Sequence, residues 1–381
     1  MYVWAKYFRP GWKEETVAQL ELFAAEHKDY LLECTRAARF PKDLYLEMGR
    51  RGWVGPMTSL EDGGLGGGVP EYCLIEEEVG RLGLVSPQIS VQGQLWLTIW
   101  GSDDQQKRYL RGMARGEIIF GEAISEPGVG SSLKLMQTTA RRDGKDWVLN
   151  GRKAHINLGH HADVMIVYAM AEEGLTSFLV DAGEKGISTR QTYPIGLRLV
   201  STADVDFDSV RVPNSALLGG PGEGMKTFLS TFNISRLGNA SELIGFGRRA
   251  LAEAIAYAKN RQIDERHKVV DFQGIQWTIA DAYSKLYAAS LARDHAAQLA
   301  NQGTDHALET TLAKKLAIDA AEHAVNESFA LTGGYGLYND TPFQQILSDM
   351  KVLRVAGGSL EILRNYLARR VLKSERYEGL A

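Results

Sequence analysis

Ser125 and Ser131 flank Pro127, Gly128 and Gly130 in AISEPGVGSS (123–132), the stretch of the chain best equipped to hold a flat ligand. The proline ends the run before it, the glycines let backbone approach a ring, and the serines offer hydroxyls at the two ends of the turn. A second stretch, NGRKAHINLG (150–159), carries His155 and Asn157. Asn150-Gly151 reads as a hairpin turn, after which a strand presents alternate residues to one side. An imidazole there joins a flat face to hydrogen-bonding nitrogens. The adjacent His160 and His161 raise a metal reading, but neighbours on a strand or loop point apart and no acid or cysteine stands at ligand spacing. No metal is expected. Gln92 and Gln94 offer amides for a polar pocket wall, while Arg248-Arg249, Arg369-Arg370 and Lys13-Glu14-Glu15 read as solvated helix faces or interface pairs.

These groups need elements to position them. From Glu14 to about Arg115 apolar residues recur at three- and four-residue spacing, as in Val17, Leu20, Leu22 and Phe23, which predicts a helical first section. Pro41 opens another helix that Gly52 stops; GGLGGG (63–68) interrupts, and helices resume at Glu71 and Asp103. Beyond residue 117 come short runs rich in Val, Ile and aromatics, among them EIIFGEAIS, ADVMIVYAM and VDFDSVRVP, cut by turn pairs such as Asp143-Gly144. After Gly222-Glu223-Gly224 the helical period returns nearly to the end. The expected architecture is α+β multidomain: a helical domain over 1–116, a β-barrel domain over 117–224 and a four-helix bundle over 225–381. A dinucleotide-binding βαβ unit needs its glycines between a strand and a helix, whereas GGLGGG lies between helices.

Composition narrows the partners. The 381 residues carry 43 Lys plus Arg against 47 Asp plus Glu, a formal charge of -4, so no basic field favours nucleic acid or an anionic membrane. No run approaches the roughly 18–20 apolar residues of a membrane span. Lys6 and Arg9 near the start are not followed by the apolar core of a secretory signal. The two cysteines, Cys34 and Cys73, form no framework or CxxC site, so a reducing, cytoplasmic compartment is expected.

Taken together, AISEPGVGSS, NGRKAHINLG and the tail LTGGYGLYND…DMKVLRVAGGSLEI (331–362) resemble motifs of the acyl-CoA dehydrogenase flavoproteins, in the same order and over essentially the whole chain. GGLGGG, GSDDQQKRYL (101–110) and YAKNRQID…DFQGIQWTIAD (257–281) add to the resemblance. It implies an FAD-dependent oxidoreductase of the EC 1.3 kind acting at Cα–Cβ of an acyl thioester on CoA or a carrier protein. The flavin ring would be lined by Ala123, Ile124, Ser125, Gly130 and Ser131, with His155, Ile156 and Asn157 beside it and Ser359 and Glu361 nearby. Arg261 and Gln273 would reach the pyrophosphate from one subunit, and Gly333-Gly334 would close over the adenosine from its neighbour, in a homodimer or homotetramer. Arg suits phosphate through its planar fork. The usual Phe-Gly-x-Pro after that Arg is replaced by IDERHKVV, and Ala330 stands where a Gln normally precedes the Gly-Gly turn. Ser131, Asn233, Arg236 and Gly358 would hold substrate, and electron-transferring flavoprotein would be the oxidant.

α,β-Dehydrogenation needs a carboxylate to take the α-proton. The family's usual station for it falls on Gly357, and its relocated station, before a retained Arg236, falls on Ser235. Neither holds an acid. This leaves a base on another element, with Glu361 one helical turn from Gly357 as a minor candidate, or a different chemistry: enoyl-thioester reduction, flavin oxygenation, or a non-catalytic place in a mixed oligomer. A Glu introduced at Gly357 is expected to create or raise dehydrogenation if the pocket is otherwise intact.

Overall fold

The computed structural model describes residues 11–373, so Lys6 and Arg9 lie outside the described residues. The first section holds α1 (Trp12–Glu26), α2 (Lys28–Ala37), α3 (Lys42–Arg50), α4 (Val69–Leu82), α5 (Gln88–Trp100) and α6 (Asp103–Ala114). Leu20 and Phe23 of α1 enter the core, but Leu22 is 65% exposed, because the buried stripe of a helix follows one face only. α6 starts with a reciprocal cap: Ser102 Oγ accepts from the Gln105 amide at 3.3 Å, and the Ser102 amide donates to Gln105 Oε1 at 2.9 Å. The glycine loop packs tightly, since a side chain at Gly64 would overlap the carbonyl of Gly55.

The middle section forms a curled seven-stranded sheet from β1 (Phe120–Ala123), β2 (Thr139–Asp143), β3 (Asp146–Asn157), β4 (Val164–Ala171), β5 (Gly174–Asp181), β6 (Ile187–Thr192) and β7 (Thr202–Pro213). β1 runs parallel to β4, β5 covers the other edge of β4, and β3 pairs antiparallel with β2 and β7. The Asp143–Asp146 turn closes the β2–β3 hairpin. Asn150-Gly151 is not a hairpin turn. It lies inside β3 at a register shift, where a side chain at Gly151 would come within 2.5 Å of Thr138 Oγ1. Glycine there serves close approach and a bulge.

The last section contains α7 (Gly224–Asn260), α8 (Gln273–Asn301), α9 (Ala307–Thr332) and two shorter helices, α10 (Phe343–Val355) and α11 (Leu360–Leu372). Its core is largely alanine, leucine and isoleucine from α7, α8 and α9. α4 crosses α7 closely: a side chain at Gly80 would meet the Glu242 carbonyl at 2.5 Å, and one at Gly245 would overlap the Glu77 carbonyl. That crossing brings Glu77 against Arg248 and against Arg293, 2.6 Å away, so Arg248 is paired across the domain contact. No described helix is long and apolar enough to cross a membrane.

Candidate functional site

The turn after β1 is fastened from behind. Glu126 is buried, and its carboxylate accepts from the amides of Gln137 at 2.7 Å and Thr138 at 2.9 Å and from Lys153 Nζ at 2.9 Å. Lys153 is fully buried and also donates to the Ile124 carbonyl at 3.1 Å. Burial pulls Lys153 down to about 8 despite Glu126, whereas burial of Glu126 is outweighed by its donors and its pKa falls. The Ala154 amide donates to the Ser125 carbonyl at 2.9 Å, tying the turn to β3. With its root fixed, the turn leaves Gly130 and Ser131 exposed, with no atom within 4 Å of a side chain built at Gly128 or Gly130. A flat cofactor has room there.

His155 lies next to this turn on β3. Its backbone is left-handed, φ 59, at a second register shift, and its side chain is exposed while Ile156 is buried and Asn157 half-buried. Its amide leans on Asp204 at 3.4 Å, a carboxylate also engaged by Arg152 at 2.9 Å and by Arg190. His160 and His161 do not point apart: their ring centroids are 5.4 Å from each other, His161 packs on Phe40, and His160 hydrogen-bonds Thr189. The turn of the chain between strands folds the pair together. Among the described residues no group of three His, Cys, Asp or Glu could hold a metal ion.

Arg261, Gln273, Gly333 and Gly334 are all exposed. Arg261 and Tyr335 line one cleft of ≈ 350 Å³ with Glu253, Ala256, Tyr257 and Asn260. The arginine and the Gly333-Gly334 turn, expected from different subunits, therefore sit together on one chain. The up–down–up order of α7, α8 and α9 puts the ends of α7 and α9 at the same end of the bundle. Tyr335 stacks on Tyr257, with centroids 5.2 Å apart, and donates to Glu253 at 2.7 Å, which steadies the turn.

The third group surrounds the connection between α10 and α11. Gly357 and Gly358 are left-handed, φ 64 and 97. The Arg236 Nε donates to the Gly357 carbonyl at 3.0 Å, while Lys314 Nζ donates to the carbonyls of Ala356 and of Gly358, the latter at 3.2 Å. Three successive carbonyls thus turn toward two buried cations. Burial, then the charge of Arg236, pushes Lys314 down to about 7. Among the described residues no peptide is cis, so the Gly357 amide, opposite the Ala356 carbonyl of the same trans peptide, points away from Lys314. Arg236 also stacks on Phe232 at 4.3 Å. A side chain at Gly357 would overlap Asn239 Nδ2 and lie 3.1 Å from Lys314 Nζ, so this position is not simply vacant.

Ser235 is buried and accepts from Gln88 Nε2 at 3.0 Å. Asn233 is half-buried; Ser359 caps α11 with extended backbone; Glu361 is exposed and 3.6 Å from Arg354, so it points to a surface partner. Gln92 reaches Thr231 at 3.3 Å, tying α5 to α7, and Gln94 donates to the Val54 carbonyl at 3.0 Å, tying α5 to the loop after α3. Reading the sequence missed Lys314, Glu122, and the Glu126–Lys153 pair. The signal for Lys314 was the Lys314-Lys315 pair on an amphipathic helix, where one lysine must fall on the apolar face; Lys315 pairs outward with Asp319. For Glu122 it was a lone acid inside an apolar strand.

The donor set fits FAD: an open glycine turn with free hydroxyls, an exposed imidazole beside it, and an arginine facing an exposed turn. The N-terminal, middle and C-terminal domain families of acyl-CoA dehydrogenase match residues 13–117, 121–210 and 222–372. A 3-(aryl)acrylate reductase of Clostridium sporogenes is 33% identical over 353 residues, covering 90% of this chain and 93% of the relative. The CarC subunit of the caffeyl-CoA reductase-Etf complex of Acetobacterium woodii is 30% identical over 358 residues, covering 91% and 93%. A Mycobacterium smegmatis glutaryl-CoA dehydrogenase solved in complex with FADH2 superposes with a TM-score of 0.88 at 25% identity, covering 95% of each chain.

Proposed function

Because the chain belongs to the acyl-CoA dehydrogenase family, whose members are FAD-dependent oxidoreductases, we propose that it adds or removes two hydrogens across Cα–Cβ of a thioester on CoA or a carrier protein. The observation that carries this reading is the loop at 356–358, whose three carbonyls are held by Arg236 and Lys314. Fixing the carbonyls inward leaves the Gly357 amide facing outward as a preorganised donor for the thioester oxygen, where charge grows during reaction. FAD, when bound, supplies the hydride acceptor or donor. Residues 123–131 with His155–Asn157 would cradle its ring and Ser359 would border it, while Asn233, Arg236, Gly358 and Ser131 would line the substrate side.

Reduction of an enoyl thioester is the second reading, and a specific observation favours it. Gly357 and Ser235 supply no acid, so the ordinary α-proton abstraction has no group at either position, and two of the relatives above are named as reductases. An electron-transferring flavoprotein is the partner that fits either direction, as the name of the CarC relative suggests.

A homodimer or homotetramer completes the cofactor site. Arg261 and Gly333-Gly334 would serve the FAD of a neighbouring copy. Support comes from α8, which exposes Trp277, Tyr283, Tyr287 and Leu291 along one face. Both cysteines are buried and unpaired, in keeping with a cytoplasmic protein.

The test is anaerobic mixing of FAD-loaded protein with saturated acyl thioesters on CoA and on carrier protein, and of its reduced form with the enoyl counterparts. Bleaching by the saturated set marks oxidation, and return of colour with the enoyl set marks reduction. Silence in both, with FAD bound, overturns the proposal.

A further inference from the structure

Among the side chains of β1, Glu122 alone is charged, set between Gly121 and Ala123. Alternation along the strand puts it on the face of Phe120 and Ile124. Ala123 joins the opposite core with Trp147 and Phe178, whereas Phe120 packs with Trp96 and Tyr168, and Ile124 leans on that same group. Its parallel partner Ile166 belongs there too. Glu122 therefore faces the layer between the sheet and helices α5 and α7. Through this layer runs a chain of rings: Tyr168 to Phe228 at 6.2 Å, Phe228 to Phe232 at 4.8 Å, and Phe232 under Arg236 at 4.3 Å. Along the strand the next residues are Ile124, whose carbonyl Lys153 holds, and Ser125 of the cofactor turn. Glu122 thus precedes that turn by three residues, on the sheet face whose apolar layer also takes in Phe228 of the helix bearing Arg236.

Two other recessed carboxylates are well paired, Glu126 by three donors and Glu77 by two arginines, whereas buried Glu242 leaves an oxygen without a donor and lies in the α4–α7 crossing, away from the cofactor turn. Glu122 is half-buried and has no hydrogen bond or ion pair among the described residues. A recessed carboxyl without a partner is not there for stability. Burial alone pushes it up to about 7. The titratable group that feels it is Tyr168. From α5 the layer receives Gln92 and Trp96, and from α7 Phe228 and Thr231, while Lys226 is exposed and paired with Glu223 at 2.9 Å.

We propose that Glu122 is the acid–base residue that exchanges the Cα proton of the acyl thioester, working from the sheet side of the cleft. This rests on the Cα–Cβ chemistry proposed above. In the reducing direction a hydride from reduced FAD forms the new C–H bond at Cβ, and the double-bond electrons shift toward Cα and the thioester carbonyl. The Glu122 O–H bond then breaks as the Cα–H bond forms, and the carboxylate takes a proton from solvent. Oxidation reverses these steps: the carboxylate removes the Cα proton as hydride leaves Cβ for oxidised FAD.

The experiment compares wild type with Glu122→Gln and Glu122→Asp. In Glu122→Gln the FAD content, the melting temperature and the affinity for acyl-CoA should stay close to wild type. Turnover should fall by about 10²–10⁴-fold, and the limb of the pH–rate profile near 7 should vanish. Wild type in D2O should exchange the Cα hydrogens of 3,3-dimethylbutyryl-CoA, which has no β-hydrogen to lose; Glu122→Gln should not. In FAD-free protein, the infrared difference between wild type and Glu122→Gln should contain a protonated-carboxyl band that titrates near 7. Glu122→Gln turning over and exchanging at the wild-type rate overturns the assignment, as does loss of FAD or fold in both variants. If wild type turns over but Glu122→Gln is unaffected, only Glu122 falls; if wild type is inert with every thioester, the proposed function falls with it.

Discussion

Lys314 donates to the carbonyl oxygen of Gly358 at 3.2 Å from a side chain that solvent does not reach. Its folded pKa, about 7, lies below that of an exposed lysine, mainly through burial. Between that value and about 10.4 the unfolded chain binds more protons, so this group makes stability rise with pH across the window. Lys314→Met removes that rise and leaves two carbonyls without a donor, a loss of about 1–3 kcal/mol. Urea melts at neutral pH and in mild alkali should show the gap between wild type and variant widening with pH; a constant gap contradicts the account.

Gly357 does more than leave a space. Its left-handed backbone strains any other residue, and a side chain there would overlap Asn239 Nδ2. Gly357→Glu should therefore lose about 1–3 kcal/mol and gain no dehydrogenation by itself. Adding Asn239→Ser should recover part of the stability. Denaturant melts and thioester bleaching of the single and double variants check both halves, and a single variant as stable as wild type would refute the crowding argument.

The Glu126–Lys153 pair at 2.9 Å is sealed from solvent, so removing one partner strands the other. Lys153→Met should cost about 3–5 kcal/mol and loosen FAD, because the same ammonium holds the Ile124 carbonyl. Glu126 has a depressed folded pKa, so its share of stability is present above its unfolded value and lost as pH falls through the folded one. FAD retention on gel filtration at pH 7 and at mildly acidic pH measures this; equal retention by variant and wild type contradicts it.

Glu76 and Glu242 oppose one another across the α4–α7 crossing, and burial pushes Glu76 up to about 8 and Glu242 upward as well. Ser86 donates to Glu76 at 3.0 Å; Asp349, raised to about 6 by burial, adds its charge to Glu242 and lies near Arg249 and Arg198. Carboxyls with raised folded pKa stabilise below their unfolded values and lose that contribution as pH rises through the folded ones. Glu242→Gln should therefore gain thermal stability over wild type at pH 8 and show little difference at pH 5. A gain confined to low pH would reverse the sign and contradict this arrangement.

Much of the fold is legible from pattern. The α, β, α order follows from the change of apolar period near residue 117 and its return after Gly224, and the turn from Ser125 to Ser131 follows from its proline and glycines. Asn150-Gly151 misleads because the pair that best makes a hairpin also suits a bulge, and only the approach of Thr138 distinguishes them. The Arg261 cleft depends on helix direction, which periodicity does not contain. Lys314 and Glu122 leave only a faint signal for a different reason: a charged residue in an apolar run also fits a solvated edge until packing places it inside.

The most direct test of Cα–Cβ chemistry is product analysis after anaerobic incubation of the reduced, FAD-loaded protein with enoyl-CoA in D2O. Mass spectrometry and NMR should find a saturated thioester with deuterium at Cα. An unchanged thioester, or a product carrying new oxygen, would contradict the account.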